Sequence, residues 1–156
     1  MQFPSWIFQL LHLNILDLSW NQLHKLPKDL ERLLQLQILN LEYTTLTRIP
    51  AQIGQLTQLR DLNLSGNRLE ELPDEIGKLI HLRKLNMARN KLKLLPPYIG
   101  RLIQLEELNL SSNELTDLPL QIVQWVCLKQ LTLKPNPLSN RVFQRVKKEL
   151  PLATIL

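Results

Sequence analysis

The side chains in this chain that could move protons, attack a carbonyl or hold a metal are few. They are His12, His24, His81, Cys127 and the neighbouring carboxylates Glu70–Glu71 and Asp74–Glu75. Nucleophilic catalysis needs a base within reach of the nucleophile, and a zinc site needs clustered Cys and His at set spacings. Cys127 has no histidine near it in sequence and no CxxC partner. His12 and His81 fall at one position of a recurring unit otherwise filled by Gln35, Gln58 and Gln104, and Cys127 shares that position; His24 shares its own with Thr47, Glu70 and Lys93. Positions that accept His, Gln, Thr, Glu and Lys alike are solvated columns. The glycines, Gly54, Gly66, Gly77 and Gly100, make no phosphate-cradling loop. The chemistry points away from catalysis: the expectation is a protein that is not an enzyme and has no cofactor or metal.

The recurring unit is the main fact of the chain. Aligned on leucine, LNILDLSWNQLHKLPKDLERLLQ begins at residue 13, LQILNLEYTTLTRIPAQIGQLTQ at 36 and LRDLNLSGNRLEELPDEIGKLIH at 59. LRKLNMARNKLKLLPPYIGRLIQ follows at 82, LEELNLSSNELTDLPLQIVQWVC at 105, and LKQLTLKPNPL opens a sixth at 128. The spacing is 23 residues throughout, with no insertion. Within LRDLNL, alternation turns Leu62 and Leu64 inward and Asp61 and Asn63 outward, as a strand requires. Pro73 pre-sets the backbone for a helical turn, Ile76 and Leu79 bury one stripe, and Gly77 relaxes the chain for the return. One unit cannot hide its own leucines; stacked units can.

The pattern LxxLxLxxNxL with a second half LPxxIGxL resembles the leucine-rich repeat family, in its 23-residue intracellular subclass, similar to Ras-group and bacterial members. The resemblance implies an α/β right-handed solenoid. It would carry a parallel concave sheet of about six strands, short helical or 3-10 turns on the convex face and a capping helix at the C-terminal end. It further implies a protein–protein interaction module, cytoplasmic, acting as scaffold or recognition domain in signal transduction, with a small GTPase among the partners the family suggests. The alternative is the repeat domain of a larger signalling or effector enzyme, a GTPase, kinase or ubiquitin ligase, whose catalytic part is absent. A host-directed effector, working in host cytosol, is a third class.

Three regions follow from the register: an N-terminal half-repeat over 1–12, repeats over 13–138 and a C-terminal cap over 139–156. The apolar opening FPSWIFQLLHL, at 3–13, lacks the basic residues ahead and the small residues behind that a secretory signal shows. Shifted by 23, Phe3 falls on Leu26, Pro4 on Pro27, Ile7 on Leu30 and Leu10 on Leu33, so it reads as the back half of a repeat. Trp6 and Phe8 replace polar residues there, either capping the first coil or facing further repeats. At the other end Val142, Phe143, Val146 and Leu150 recur at helical spacing before Pro151. No apolar run is long enough to span a membrane, and the expectation is a soluble chain, a monomer unless the N-terminal coil is used for association.

On the outward positions, Asn14, Gln37, Arg60, Arg83, Glu106, Lys129 form one column and Ile15, Ile38, Asp61, Lys84, Glu107, Gln130 the next. Asp17, Asn40, Asn63, Asn86, Asn109, Thr132 form a third, expected to be a hydrogen-bonded ladder, and Trp20, Tyr43, Gly66, Arg89, Ser112, Pro135 a fourth. Ile15, Trp20, Ile38 and Tyr43 gather exposed apolar surface on two adjacent coils, the mark of a contact site. Arg83, Lys84 and Arg89 add charge beside it. The net charge of +5 resides largely in the cap, while cations and anions nearly balance on the sheet. A nucleic-acid groove needs a continuous basic stripe, so no nucleic-acid partner is expected. Asn21, Asn67, Asn90, Asn113 and Asn136 form a structural ladder broken at Thr44, where a looser turn is expected.

Overall fold

The computed structural model describes residues 5–156; Phe3 and Pro4 of the half-repeat reading lie outside them. Each unit begins with a three-residue strand: β1 Ile15–Asp17, β2 Ile38–Asn40, β3 Asp61–Asn63, β4 Lys84–Asn86, β5 Glu107–Asn109 and β6 Gln130–Thr132. A seventh, β7 Thr154–Ile155, follows the helix α1, Asn140–Glu149. The strands form one parallel sheet in chain order, β1 to β7. From β1 to β6 neighbours pair with the 23-residue offset, so that Leu39, Leu62, Leu85, Leu108 and Leu131 form one inward row. All five are buried, Leu85 and Leu108 to within 1%.

The return path of each unit is a five-residue 3-10 turn, as in Ala51–Gln55 and Asp74–Lys78. Proline stands just before the turn rather than in it: Pro73 is extended, at φ −69° and ψ 147°, and its carbonyl accepts from the Ile76 amide at 3.0 Å. Proline's fixed φ suits this place, and its missing N–H costs nothing there. The glycines do more than relax the chain. A Cβ at Gly54 would stand 2.8 Å from the Glu75 carbonyl oxygen, and one at Gly100 2.7 Å from that of Gln121; one at Gly77 would press into Tyr98. Glycine lets consecutive turns approach closely, which sets the pitch of the convex side.

The asparagine column binds one coil to the next. Asn90 Nδ2 donates to Leu64 O at 2.9 Å and Met87 O at 3.1 Å, and its Oδ1 accepts from Leu69 N at 3.0 Å. Asn67, Asn113 and Asn136 repeat this arrangement. Asn21 reaches only within its own coil, to Leu18 O and Ser19 O. Thr44 does not loosen its turn. It is wholly buried, its hydroxyl donates to Leu41 O at 2.8 Å, and its amide donates to Asn67 Oδ1 at 3.1 Å. A threonine hydroxyl is too short to reach the preceding coil, so the Leu23 amide goes to the Thr44 backbone carbonyl instead, at 3.0 Å. The rerouting places His24 and Thr45 at φ 57° and 60°, a left-handed conformation uncommon outside glycine.

The two ends differ. Phe8 closes the first coil, with 4% of its surface exposed, whereas Trp6 stays 60% exposed. Leu10, which occupies the place that Leu33 fills in the next unit, is 45% exposed against 0%, because no described coil packs over it. At the other end Ser139 caps α1 by accepting from the Val142 amide. Val146 is buried under the helix, and Arg145 Nη2 ties it to Asp117 Oδ1 at 2.6 Å and to the Leu118 carbonyl. No helix of the described residues is long and apolar enough to cross a membrane.

Candidate partner-binding face

The outward side of the sheet carries side chains set in fixed register by the strands beneath them. Ile15 pairs with Ile38 across β1 and β2, 60% and 37% exposed. Asp61, Lys84, Glu107 and Gln130 continue that row on β3 to β6. With Asn63, Asn86 and Asn109 they line a shallow depression of about 260 Å³.

The outward asparagines do not form a ladder along the sheet. Each turns on its own coil: the side-chain oxygens of Asn40, Asn63, Asn86 and Asn109 accept from the amides of Glu42, Ser65, Ala88 and Ser111, two residues on. A side chain that bonds the backbone two residues ahead makes an Asx turn. Asp17 does the same with Ser19, and Asn40 Nδ2 adds a cross-coil bond to Asp17 Oδ2 at 3.1 Å. These bonds, first among them that from the Ser19 side chain, hold the Asp17 carboxyl below its usual range.

The Asx turn delivers the chain into a left-handed residue. Trp20, Tyr43, Gly66, Arg89 and Ser112 have φ of 60°, 50°, 67°, 55° and 54°. They therefore lie just beyond the strands, not on them with the other outward columns as the sequence reading had it. Their amides keep the ladder going, Trp20 to Glu42 O at 2.8 Å, Tyr43 to Ser65 O at 2.9 Å and Gly66 to Ala88 O at 2.9 Å. Bulky residues are uncommon at such angles, and strain of this kind, roughly 1–3 kcal/mol each, collects where function holds it.

These residues form one ribbon across four coils. Trp20 and Tyr43 stack with ring centroids 4.3 Å apart and planes 29° from parallel. Tyr43 lies over Gly66, where an added Cβ would stand 2.5 Å from two ring carbons. Beyond the glycine, Tyr43 Oη accepts from Arg89 Nη1 at 2.6 Å. Trp20 remains 73% exposed. The ribbon thus joins Trp20, Tyr43 and Arg89, with Ile15 and Ile38 on the sheet at its N-terminal end.

Arg83 and Lys84 stand apart, at the opposite end of the strands. Lys84 Nζ meets Glu107 Oε1 at 2.8 Å, and Arg83 Nη1 lies 3.6 Å from Glu106 Oε1, an oxygen pair that also takes Lys129. The hydrogen bond that Lys84 donates to Glu107 raises the pKa of its ammonium, and the one that Glu106 accepts from Lys129 lowers that of its carboxyl. Asp61 is pushed up by burial, against the pull of Lys84. Exposed pairs of this kind add little stability; they fix orientation.

His24 Nδ1 lies 3.2 Å from Thr45 Oγ1, and Cys127 is exposed. Among the described residues no three His, Cys, Asp or Glu side chains gather in a way that could hold a metal ion. One surface feature escaped the sequence reading. Leu34, Ile80, Ile103 and Val126 occupy one position of the repeat, and each is about half exposed or more, from 47% to 75%. The aligned column was legible, but each member follows a buried leucine or tryptophan and reads as more core.

A family model described as leucine-rich repeat region matches residues 51–150, and one described as leucine rich repeat matches residues 11–69. The chain belongs to the leucine-rich repeat family. Among solved structures it is similar to a leucine-rich repeat protein of Leptospira interrogans, with 40% identity and a TM-score of 0.97 over 99% of this chain. This chain spans 40% of the length of that one. It is similar also to the ectodomain of the Arabidopsis thaliana membrane receptor kinase GASSHO1/SCHENGEN3, solved with CASPARIAN STRIP INTEGRITY FACTOR 2. There the identity is 36% and the TM-score 0.80, over 88% of this chain and 17% of that one. A third, the plant peptide hormone receptor RGFR1 in complex with RGF2, is 29% identical with a TM-score of 0.73, over 88% and 26%. The comparison with curated proteins finds no match.

Proposed function

We propose that the chain is a non-enzymatic protein-interaction module whose partner docks on the concave face, anchored at Trp20 and Tyr43. The observation that carries this reading is the ribbon. Two aromatic rings are stacked at 4.3 Å, pinned by Arg89 over a glycine that leaves room for them, and the outer ring is 73% exposed. Large aromatic anchors immobilised before binding lose little entropy when a partner arrives, and Trp and Tyr lead among residues that dominate binding energy. Ile15 and Ile38 extend the apolar ground, while Arg83 and Lys84 flank it as charges already held by Glu106 and Glu107. Two of the similar structures are complexes, with CASPARIAN STRIP INTEGRITY FACTOR 2 and with RGF2, and so support a polypeptide partner here.

The finer reading is a scaffold or recognition role in cytoplasmic signalling within the 23-residue intracellular subclass, with a small GTPase as one partner to test. The alternative is the repeat part of a larger signalling or effector enzyme.

The test is selection of binders from a displayed library of extended peptides and from a panel of small GTPases, followed by affinities for variants. The double variant Trp20→Ala, Tyr43→Ala is expected to lose about 30-fold or more in affinity, the equivalent of roughly 2 kcal/mol, while its circular dichroism stays native. Arg83→Ala and Arg89→Ala should act more weakly and in a salt-dependent way. Undiminished binding by the double variant would place the site elsewhere.

A further inference from the structure

The edge of the sheet where the strands begin holds a feature that the ribbon does not use. There a hollow of about 180 Å³ is lined by Gln58, Arg60, His81, Arg83 and Gln104. The repeat explains why these five meet. Gln58, His81 and Gln104 share the last position of consecutive units, and Arg60 and Arg83 stand two residues on, each immediately before a strand. Consecutive coils are stitched together at this point. The Arg83 amide donates to the Arg60 carbonyl at 2.8 Å, and the Glu106 amide donates to the Arg83 carbonyl at 2.8 Å. The stacked backbone thus fixes where the side chains start.

The lining is made of donors. Guanidinium, side-chain amide and imidazole all carry N–H groups, and no carboxylate lines the hollow. Like charges side by side on neighbouring strands repel, and here the repulsion is only partly relieved. Arg83 Nη1 lies 3.6 Å from Glu106 Oε1, and Glu106 also serves Lys129. Arg60 has no such partner. The coil before it carries Gln37 at this position, and Asp61, next in sequence, lines the depression on the sheet with Lys84. Among the described residues nothing pairs with the Arg60 guanidinium, nor with the side chains of Gln58, His81 and Gln104. Arg60, Arg83 and Lys129 stand against Glu106 alone, so three cations and one carboxylate leave this edge two positive charges.

We propose that this hollow receives a phosphate monoester carried by a side chain of a partner polypeptide. Such a group brings close to two negative charges and three strong acceptor oxygens, which match the charge left over and the number of donors. Guanidinium forks suit paired phosphate oxygens, and the imidazole and the amides serve the remaining acceptor positions. A carboxylate, with one charge and two oxygens, leaves charge and donors unmet. Ile80 and Ile103 stand next in sequence to His81 and Gln104 and are 47% and 50% exposed. They give the residues on either side of the phosphate an apolar surface, which a free phosphate ion would not use.

The occupant's chemistry can be read with small probes on the whole chain. The Nε–H resonances of Arg60 and Arg83 and the ring resonances of His81 are followed by NMR at fixed ionic strength. The probes are a capped tripeptide of phosphoserine between two leucines, its aspartate counterpart and inorganic phosphate. Saturable shifts are expected with the phosphoserine peptide, at least tenfold tighter than with the aspartate peptide and tighter than with inorganic phosphate. Arg60→Gln should weaken the phosphoserine peptide at least tenfold, whereas Lys147→Gln, which removes a charge from the cap, should leave it unchanged. Equal affinity for the phosphoserine and aspartate peptides in the wild-type chain would overturn the site, and that comparison needs no variant to fold. Inorganic phosphate bound as tightly as the phosphoserine peptide would overturn the polypeptide source. Trp20→Ala with Tyr43→Ala should not move these titrations, so this site and the ribbon fail separately.

Discussion

At the scale of the residue, the fold rests on polar side chains that serve two coils at once. Asn90 satisfies carbonyls of Leu64 and Met87 and the amide of Leu69, and none of these groups has water as an alternative. Asn90→Ala should therefore lower stability by about 1–3 kcal/mol, measured by denaturant unfolding; an unchanged midpoint would contradict the role of the column. Asp61 gives the opposite case. Burial raises its pKa, so the folded state holds the proton more tightly than the unfolded one and ionisation at neutral pH costs stability. Asp61→Asn is expected to raise the melting temperature at pH 7, with the advantage shrinking to nothing near roughly pH 3, where both states are protonated. A constant difference across that range would assign the effect to something other than charge. The inward leucines and the asparagine column were legible in the sequence because a 23-residue period sorts them by position. The rerouted bond at Thr44 was not, since nothing in a column of residue types says which oxygen replaces a missing amide.

At the scale of the element, strand and 3-10 turn are set by different rules. A strand of three residues has no stability of its own and exists because its neighbours on both sides share its register. Leu85, in the middle of that stack and 1% exposed, should cost about 2–5 kcal/mol when cut to alanine, and calorimetry on that variant checks the register itself. On the convex side the constraint is closeness. Gly77→Ala drives a methyl into Tyr98 and is expected to destabilise by about 1–3 kcal/mol through overpacking, although alanine is the better helix former. A stabilised Gly77→Ala would show that the turns are not in tight contact. The left-handed residue after each of the first five strands is what the sequence reading misplaced, by setting it on the strand. Gly66 was the one visible sign of it, and the large side chains beside it in the column, Trp20, Tyr43 and Arg89, masked the sign.

At the scale of the molecule, stacking one unit 23 residues after another does what no single unit can. It buries a continuous aliphatic core and leaves a rigid face on which side chains far apart in sequence stand in a row. Arg89 reaches Tyr43 across 46 positions, and the sequence could name both as surface residues without showing that they meet. The central claim is that a partner seats on the ribbon of Trp20 and Tyr43. Hydroxyl-radical footprinting of the chain alone and with a selected partner reads this directly, since aromatic side chains are oxidised in proportion to their exposure. The account predicts strong protection of Trp20 and Tyr43 in the complex, with Trp6 oxidised as in the free chain; Trp20 oxidised equally in both, with protection confined to the convex side, would contradict it.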